Sequence, residues 1–274
     1  MTSTDDDLLA RLEGYYDAVP RAAARTEDFG PLTLFVREGA GWPYYARPAR
    51  PGTAPVTEAD VRRVRARQRE LGLPEAFEWV AETSPTLRPA AERAGLTVHE
   101  HPLMVLAPDA PTPAVAAPDD ASVRIVGPED PALPGALAVP HLAFAEPGTR
   151  VGTAGPAELA AAIRERAADV PRTADRIRAG LTAVAAALRD GSALCAGQCL
   201  AVGEVAEIAG LGTLPTARRR GLALAVTAAL VADARAAGVR TVFLSADTED
   251  VARIYARLGF RTVGTALIAE PAAA

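Results

Sequence analysis

Apolar positions in the second half of the chain follow two periods, one typical of strands and one typical of helices. Short apolar runs bounded by glycine, proline or an Asp-Gly turn predict strands. These runs are VRIVG, LTAVAAALRDG, ALCAGQCLAVG, VAEIAGLGTLP, TVFLSA and FRTVGTALIAE. Longer runs with helical spacing predict helices. These are LPGALAVPHLAFAE, GPAELAAAIRERAADV, GLALAVTAALVADARAAG and TEDVARIYARLG. Strands that lead into a strand–helix–strand–helix–strand succession predict a mixed α/β sheet.

Residues 106–122 read LAPDAPTPAVAAPDDAS and are rich in proline, alanine and aspartate, with no apolar period. This composition is typical of a linker. We therefore predict a first domain over residues 1–105, the linker, and a second domain over residues 123–274. A chain of 274 residues is long enough for one large core or two smaller ones.

The first half contains a weaker copy of the pattern that ends the second half. FEWVAETSPTLRPAAERAGLTVHEHPLMVL and VFLSADTEDVARIYARLGFRTVGTALIAE both predict a strand, a helix and a strand. Aligning Gly95 with Gly259 also pairs Leu96 with Phe260. We interpret this repeat as a duplication that gives both halves one fold. A chance match of two common supersecondary units is the alternative.

Composition restricts the classes of partner. The net charge is −5, and all 29 basic residues are arginine, so arginine here also fills the surface role of lysine. The acidic balance argues against a nucleic-acid-binding protein. No run approaches the roughly eighteen apolar residues of a membrane helix, and the acidic start MTSTDDDLLA is unlike a secretory signal. We expect a cytoplasmic protein that binds neither nucleic acid nor membrane.

The cysteines and histidines do not predict a metal site. Cys195 and Cys199 would lie about 13 Å apart on one face of a strand, which is too far for a disulfide. We expect them to be small buried side chains. His99 and His101 share a strand face, but no third ligand is evident in the sequence.

The stretch TLPTARRRGLALA ends a predicted strand and begins a predicted helix. The first amides of a helix have no intrahelical partner, and the helix dipole adds positive charge there, so this turn suits a pyrophosphate. Gly221 and Ala223 leave the backbone open to close approach, and three arginines add charge. An arginine-rich helix start with small packing residues is the alternative. The sequence contains no P-loop motif, and its G-x-G lacks the third glycine of a Rossmann site.

Two motifs in this half resemble those of the GCN5-related N-acetyltransferase (GNAT) family. The family's coenzyme A loop, [RQ]-x-x-G-x-[GA], is matched by Arg218, Gly221 and Ala223. Its closing helix motif is matched by IYARLGF at residues 254–260. The resemblance covers about residues 120–270. It implies a mostly antiparallel GNAT sheet flanked by helices and, with the duplication, two GNAT-like lobes of which the N-terminal one is incomplete.

The resemblance implies acetyl-CoA, or a related acyl-CoA, as the donor and co-substrate. Its pyrophosphate would lie on the amides of the loop, and its pantetheine would pair with the strand before it, beside a splayed neighbour. Gly210 and Gly212 fit a strand that bulges or is closely approached. Thr248 stands where the family often has asparagine. The residues implied in donor binding are Leu211, Thr213, Leu214, Arg218, Arg219, Arg220, Gly221, Leu222, Ala223 and Thr248.

Acyl transfer to an amine also needs groups that move protons. The resemblance implies Tyr255 as the acid that protonates the departing thiolate, since a phenol holds its proton at neutral pH. The alternative is that Tyr255 only packs beside Val251 and Leu258 on an amphipathic helix.

Glu207 is the candidate base. It lies eleven residues ahead of the motif arginine, a spacing at which some members of the family carry a base glutamate. By alternation it would share one face of its strand with three side chains: Ala209, Leu211 and Thr213. A solvated strand glutamate is the alternative, and Asp247 and His141 are weaker candidates for the base.

The predicted activity is direct transfer of an acetyl group from acetyl-CoA to the amine of a small molecule in a ternary complex. A non-catalytic acyl-CoA-binding protein is the alternative. The first half has Ala91 or Ala90 where the second has Tyr255, and it lacks the loop motif. We expect that half to bind no coenzyme and to shape the acceptor pocket or an interface, which leaves a homodimer open.

Overall fold

A computed structural model describes residues 3–39, 43–50, 52, 54–107 and 109–272. The first half contains α1 (Ser3–Arg21), β1 (Ala24–Asp28), β2 (Leu32–Arg37), β3 (Ala46–Pro48), α2 (Glu58–Glu70), β4 (Phe77–Val80), α3 (Leu87–Arg93) and β5 (Thr97–Leu106). The second half contains β6 (Ser122–Ile125), α4 (Leu133–Ala145), α5 (Pro156–Glu165), α6 (Asp169–Arg178), β7 (Ala183–Arg189), β8 (Ser192–Val202), β9 (Val205–Thr213), α7 (Leu222–Ala236), β10 (Thr241–Ser245), α8 (Glu249–Ala256) and β11 (Phe260–Glu270). Among the described residues, no helix is both long enough and apolar enough to span a membrane.

The chain forms two compact units, each built from more than one stretch of sequence. The first unit comprises residues 1–104, 245–248 and 262–274, and the second comprises residues 105–244 and 249–261. The predicted domains over residues 1–105 and 123–274, with a linker between them, stay a prediction.

In the first unit the strands lie in the order β1-β2-β3-β4-β11-β5. β11 comes from the last part of the sequence and pairs antiparallel with β4. Large apolar side chains that are at most 1% exposed fill the core of this unit: Phe35, Phe77, Trp79 and Leu87. The succession α2-β4-α3-β5 has the same order as α7-β10-α8-β11, which confirms that the repeated pattern encodes the same series of elements.

In the second unit the strands lie in the order β10-β9-β8-β7-β6. β9 and β10 are parallel, and the remaining neighbours are antiparallel. α4 packs against β8 and β9, while α7 packs against β7, β8 and β9. The prediction of a mixed, mostly antiparallel sheet flanked by helices is confirmed.

The helix predicted from GPAELAAAIRERAADV, residues 155–170, is wrong at its C-terminal end. α5 ends at Glu165, and α6 begins at Asp169. Pro171 explains the break, because in one continuous helix its ring would clash with the carbonyl of Ala167 and it could not donate a hydrogen bond. In the first turn of a new helix the same proline is tolerated.

Candidate active site

β9 carries a β-bulge directly before the predicted coenzyme A loop. Between the pairs Gln198–Ala209 and Ala196–Gly212, β9 has one residue more than β8. Gly210 has φ +58°, a left-handed conformation that a residue with a side chain adopts only with strain. A Cβ at Gly212 would lie 2.7 Å from the Cα of Pro140 in α4. The predicted bulge and close approach are both confirmed.

The bulge changes which side chains of β9 share a face. Since Ala196 and Gln198 lie on one face of β8, their partners Gly212 and Ala209 share that face. Glu207 precedes Ala209 by two residues, so it also lies on this face, which α4 covers at Gly212.

Leu211 and Thr213 lie on the opposite face. The Oγ1 of Thr213 donates to the Sγ of Cys195 at 3.3 Å, and Leu211 covers Gly197, where an added Cβ would lie 2.6 Å from the Cδ1 of Leu211. The prediction that Glu207 shares a face with Leu211 and Thr213 is therefore wrong. Simple alternation fails because the bulge inserts one residue.

β9 and β10 separate towards the loop. Their parallel register joins residues 205–207 to residues 241–243, and within the described residues it extends no further. The edge of β9 beyond Glu207 is thereby left open to an extended ligand. On the other side of β9, the amide of Leu214 is already used, because it donates to the carbonyl of Leu194 at 2.8 Å.

The turn between β9 and α7 is built to present backbone amides. Arg219 has φ +67° and Gly221 has φ +77°. Gly221 is the N-cap of α7 and supplies no side-chain cap. The bond from the Ala225 amide to the Gly221 carbonyl, at 3.2 Å, begins the helix ladder, so the amides of Leu222 and Ala223 have no intrahelical acceptor. This geometry suits an anion, and the binding of a pyrophosphate here stays a prediction.

The three arginines of the turn differ in their surroundings. Arg219 is exposed, and Arg220 pairs with Asp120. Arg218 is only 9% exposed, and its guanidinium donates to backbone carbonyls of α4 and of the segment after it. The sequence predicts that the charge of Arg218 is available to an anion, whereas in the structure its guanidinium is already bonded to backbone carbonyls.

Tyr255 lies on α8 with its ring buried. It packs edge-to-face on Phe260, with ring centroids 6.2 Å apart. Burial raises the pKa of the phenol well above its ordinary value, and the thiol of Cys195 raises it further. The hydroxyl is therefore protonated at every ordinary pH, as a proton donor requires.

The other candidate proton-transfer groups are less buried. Glu207 is half-buried and pairs in register with Leu200 of β8 and Phe243 of β10. His141 on α4 is half-buried too, and its pKa is lowered first by burial and then by the charge of Arg166. Asp247 is exposed.

Thr248 and the cysteines complete the predicted set. Thr248 is exposed, directly before α8, and belongs to the first unit. Cys195 and Cys199 are both buried free thiols, as predicted. Burial raises the pKa of each to about 12. Within the described residues, no group of three or more His, Cys, Asp or Glu could hold a metal ion.

α2, the helix of the first unit that corresponds to α7, begins with a side-chain cap, whereas α7 has none. At α2 the side chain of Thr57 accepts from the Asp60 amide, and the Asp60 carboxylate accepts from the Thr57 amide. This capping box occupies the amides of the N-cap and of the third helical residue, and it adds a negative charge at the start of α2. Ala90 and Ala91, which correspond to Tyr255, are fully buried. α2 is thus unsuited to a phosphate.

Comparison with known proteins agrees with this geometry. A family model described as the acetyltransferase (GNAT) family matches residues 158–260. A GCN5-related N-acetyltransferase from Kribbella flavida is 22% identical, with a TM-score of 0.70, over 97% of this chain and 96% of that one. A functionally unknown conserved protein from Staphylococcus epidermidis is 14% identical, with a TM-score of 0.56, over 90% and 92%. No curated protein matches the sequence.

A tandem GNAT protein from the clavulanic acid biosynthesis pathway shares the fold at 18% identity, with a TM-score of 0.53, over 89% of this chain and 79% of that one. The likeness to one tandem protein agrees with the repeated order of elements in the two halves. The match to the GNAT acetyltransferase family covers the bulged strand, the amide-rich turn and Tyr255, so residues 158–260 are similar to the acetyltransferase domain of that family.

Proposed function

We propose that the protein is an N-acyltransferase that moves the acetyl group of acetyl-CoA to the amine of a small molecule. The observation that carries this proposal is the uncapped start of α7 at the end of a bulged, splayed strand, within the part matched by the family model. We expect the reaction to take place in the cytoplasm.

The donor would bind along β9 and the turn that follows it. Its pyrophosphate would accept from the amides between Arg219 and Ala223, where the helix dipole favours negative charge. Its pantetheine would pair with the open edge of β9 beyond Glu207, where β10 has diverged. Leu211 and Thr213 lie on this stretch, and Thr248 would contact the donor from the turn before α8.

The transfer would be direct. The amine nitrogen attacks the thioester carbonyl, the new C–N bond forms, and the C–S bond breaks as the thiolate leaves. An acyl-cysteine intermediate is disfavoured, because Cys195 and Cys199 are buried with a pKa of about 12 and form little thiolate at neutral pH. Tyr255 would protonate the leaving thiolate, and Glu207 would take the proton of the amine, directly or through water.

The rival proposal is a non-catalytic acyl-CoA-binding protein. It shares the donor site but gives Tyr255 no chemical role. For the first unit we propose that it binds no coenzyme and instead shapes the acceptor pocket or an interface between two copies of the chain. The capping box of α2 supports this part of the proposal.

Two variants of Gly221 test the donor site. Gly221→Glu adds bulk and a negative charge at the expected phosphate position, whereas Gly221→Ala carries a similar left-handed strain without the charge. Calorimetry with coenzyme A should give a large loss of affinity for Gly221→Glu and a small one for Gly221→Ala. Equal affinities of the wild type and Gly221→Glu would refute the site.

Tyr255→Phe separates the enzyme from the binding protein. It removes one hydroxyl and keeps the ring that packs on Phe260. With an amine acceptor found by screening a panel for thiol release, single-turnover transfer should slow by a factor of about 100 to 10,000, while coenzyme A affinity holds. A wild-type single-turnover rate would make Tyr255 a packing residue. A wild type that binds acetyl-CoA but acylates no amine would favour the rival proposal.

A further inference from the structure

A short irregular segment links α4 to α5, and one carboxylate at its start accepts hydrogen bonds from residues near its end. We call residues 146–155 the Glu146 loop. The carboxylate of Glu146 accepts from the amide of Thr153 at 2.9 Å, from the amide of Ala154 at 2.8 Å and from the Thr153 hydroxyl at 2.9 Å. These bonds also hold the pKa of Glu146 below its ordinary value, so the carboxylate that accepts them is ionised at neutral pH.

The Glu146 loop is fastened to the turn before α7 by two backbone hydrogen bonds. The amide of Gly152 donates to the carbonyl of Pro215 at 3.0 Å, and the amide of Thr216 donates to the carbonyl of Ala154 at 3.1 Å. A Cβ at Gly152 would lie 2.9 Å from the Cβ of Pro215, so the two segments are also in van der Waals contact. The loop therefore packs directly against the start of the coenzyme A motif.

Arg218 also links the start of the coenzyme A motif to the Glu146 loop and to the end of α4. Its guanidinium donates to the carbonyl of Ala143 at 3.0 Å, to that of Arg150 at 3.1 Å, and to that of Glu146. Ala143 and Glu146 lie at the C-terminal end of α4, where carbonyls lack intrahelical partners and a cation is favoured. One buried cation thus binds the end of a helix and the middle of a loop.

Only the planar fork of arginine suits this arrangement. Its donors are fixed in one plane and can reach several carbonyls at once, whereas the ammonium of a lysine is a compact charge on a flexible stem. The next residues, Arg219 and Gly221, both have positive φ. The amide-rich turn therefore begins at a residue whose side chain is anchored on three carbonyls.

We propose that Arg218 is a positioning residue, which holds the Glu146 loop against the turn and fixes the backbone that presents its amides, without itself binding the phosphates. This inference rests on the proposed function for its second consequence, the effect on coenzyme A binding. Its first consequence, the order of the Glu146 loop, concerns the free protein alone.

Hydrogen exchange of the free protein tests the first consequence. The amides of Gly152, Thr153 and Ala154 should exchange at least about tenfold faster in Arg218→Lys than in the wild type, as expected when charge-assisted hydrogen bonds are lost. Arg164→Ala, at an exposed arginine near the end of α5, is the control and should leave these amides unchanged. Unchanged exchange in Arg218→Lys would overturn the proposal.

Calorimetry with coenzyme A at low and high salt tests the second consequence. If Arg218 acts through the hydrogen bonds of its planar guanidinium, Arg218→Lys and Arg218→Ala should lose similar affinity for coenzyme A. The salt dependence of binding should then stay that of the wild type. If Arg218 instead contributes charge to the phosphates, lysine should restore the affinity and alanine should weaken the salt dependence, which would overturn the proposal. A wild type that does not bind coenzyme A would refute the proposed function, and the exchange result would still decide the role of Arg218.

Discussion

The contact between α4 and β9 at Gly212 gives a stability prediction that can be worked from distances. An alanine Cβ at this position would lie 2.7 Å from the Cα of Pro140, 2.7 Å from the Cβ of Ala143 and 3.4 Å from the Cβ of Pro140. Carbon atoms in good contact are about 3.5–4.0 Å apart. Gly212→Ala therefore requires α4 and β9 to separate by about 1 Å.

Neither element can move freely. β9 is held by its ladder with β8, and the end of α4 is held by Arg218 through the carbonyls of Ala143 and Glu146. Overpacking of this kind costs about 1–3 kcal/mol. For a domain of this size, each kcal/mol lowers the melting temperature by about 2–4 °C. We expect Gly212→Ala to fold with a free energy of unfolding reduced by this amount.

The assay is urea unfolding followed by circular dichroism, with Gly127→Ala as the matched control. Gly127 lies in the same unit, and an added Cβ there meets nothing within 4 Å. The control should unfold at the wild-type midpoint or slightly above it. If Gly212→Ala also matches the wild type, α4 does not pack on β9 as closely as these distances require.

Three further predictions concern coenzyme stoichiometry, the bulge and alkaline pH. Titration with coenzyme A should give one molecule per chain, because α2 is closed by its capping box; a value of two would contradict a degenerate first unit. Gly197→Ala should cost about 1–3 kcal/mol of stability and weaken coenzyme A binding, because its Cβ would lie 3.2 Å from the Cβ and 3.3 Å from the Cα of Leu211, as well as 2.6 Å from its Cδ1; wild-type values for both would contradict the packing of the bulge. Cys195 and Cys199 have a pKa of about 12 in the folded state, against 9.0 for the unperturbed thiol. Between these pH values the unfolded chain binds fewer protons than the folded chain, because its thiols have already ionised. The free energy of unfolding should therefore fall as pH rises, by up to about 1.4 kcal/mol per pH unit for each thiol. Urea midpoints across this window should fall less steeply in Cys199→Ala than in the wild type, and equal slopes would contradict a buried thiol.

Most elements in the second half of the chain could be predicted from the sequence because they have clear periods. The strands β6 to β11 and the helices α4, α7 and α8 follow apolar patterns bounded by glycine, proline or an Asp-Gly turn. The apolar period does not show the break between α5 and α6: the predicted helix extends to Val170, whereas α5 ends at Glu165 and α6 begins at Asp169. Pro171 was the available signal, since proline inside a helical pattern ends or restarts the helix.

The candidate site was predictable where it depends on local geometry. A strand–turn–helix with small residues at positions 221 and 223 predicts an anion site, and the structure has that turn. The role of the Arg218 side chain was not predictable, because three consecutive arginines look alike in sequence. What distinguishes Arg218 is its contact with carbonyls 68 to 75 residues earlier in the chain.

The bulge in β9 also decides which side chains share a face of the strand with the proposed base, Glu207. Without it, alternation would put Glu207 and Thr213 on one face of the strand. With it, Glu207 lies on the α4 face, and Thr213 lies on the opposite face with Cys195, the thiol that influences Tyr255. Glu207 lies before the inserted residue, so its face is set by its pairing with Leu200, and the bulge changes only the face of the residues that follow it. One inserted residue, made possible by Gly210, therefore turns Leu211 and Thr213, on the stretch where the donor is proposed to bind, away from the face of the proposed base.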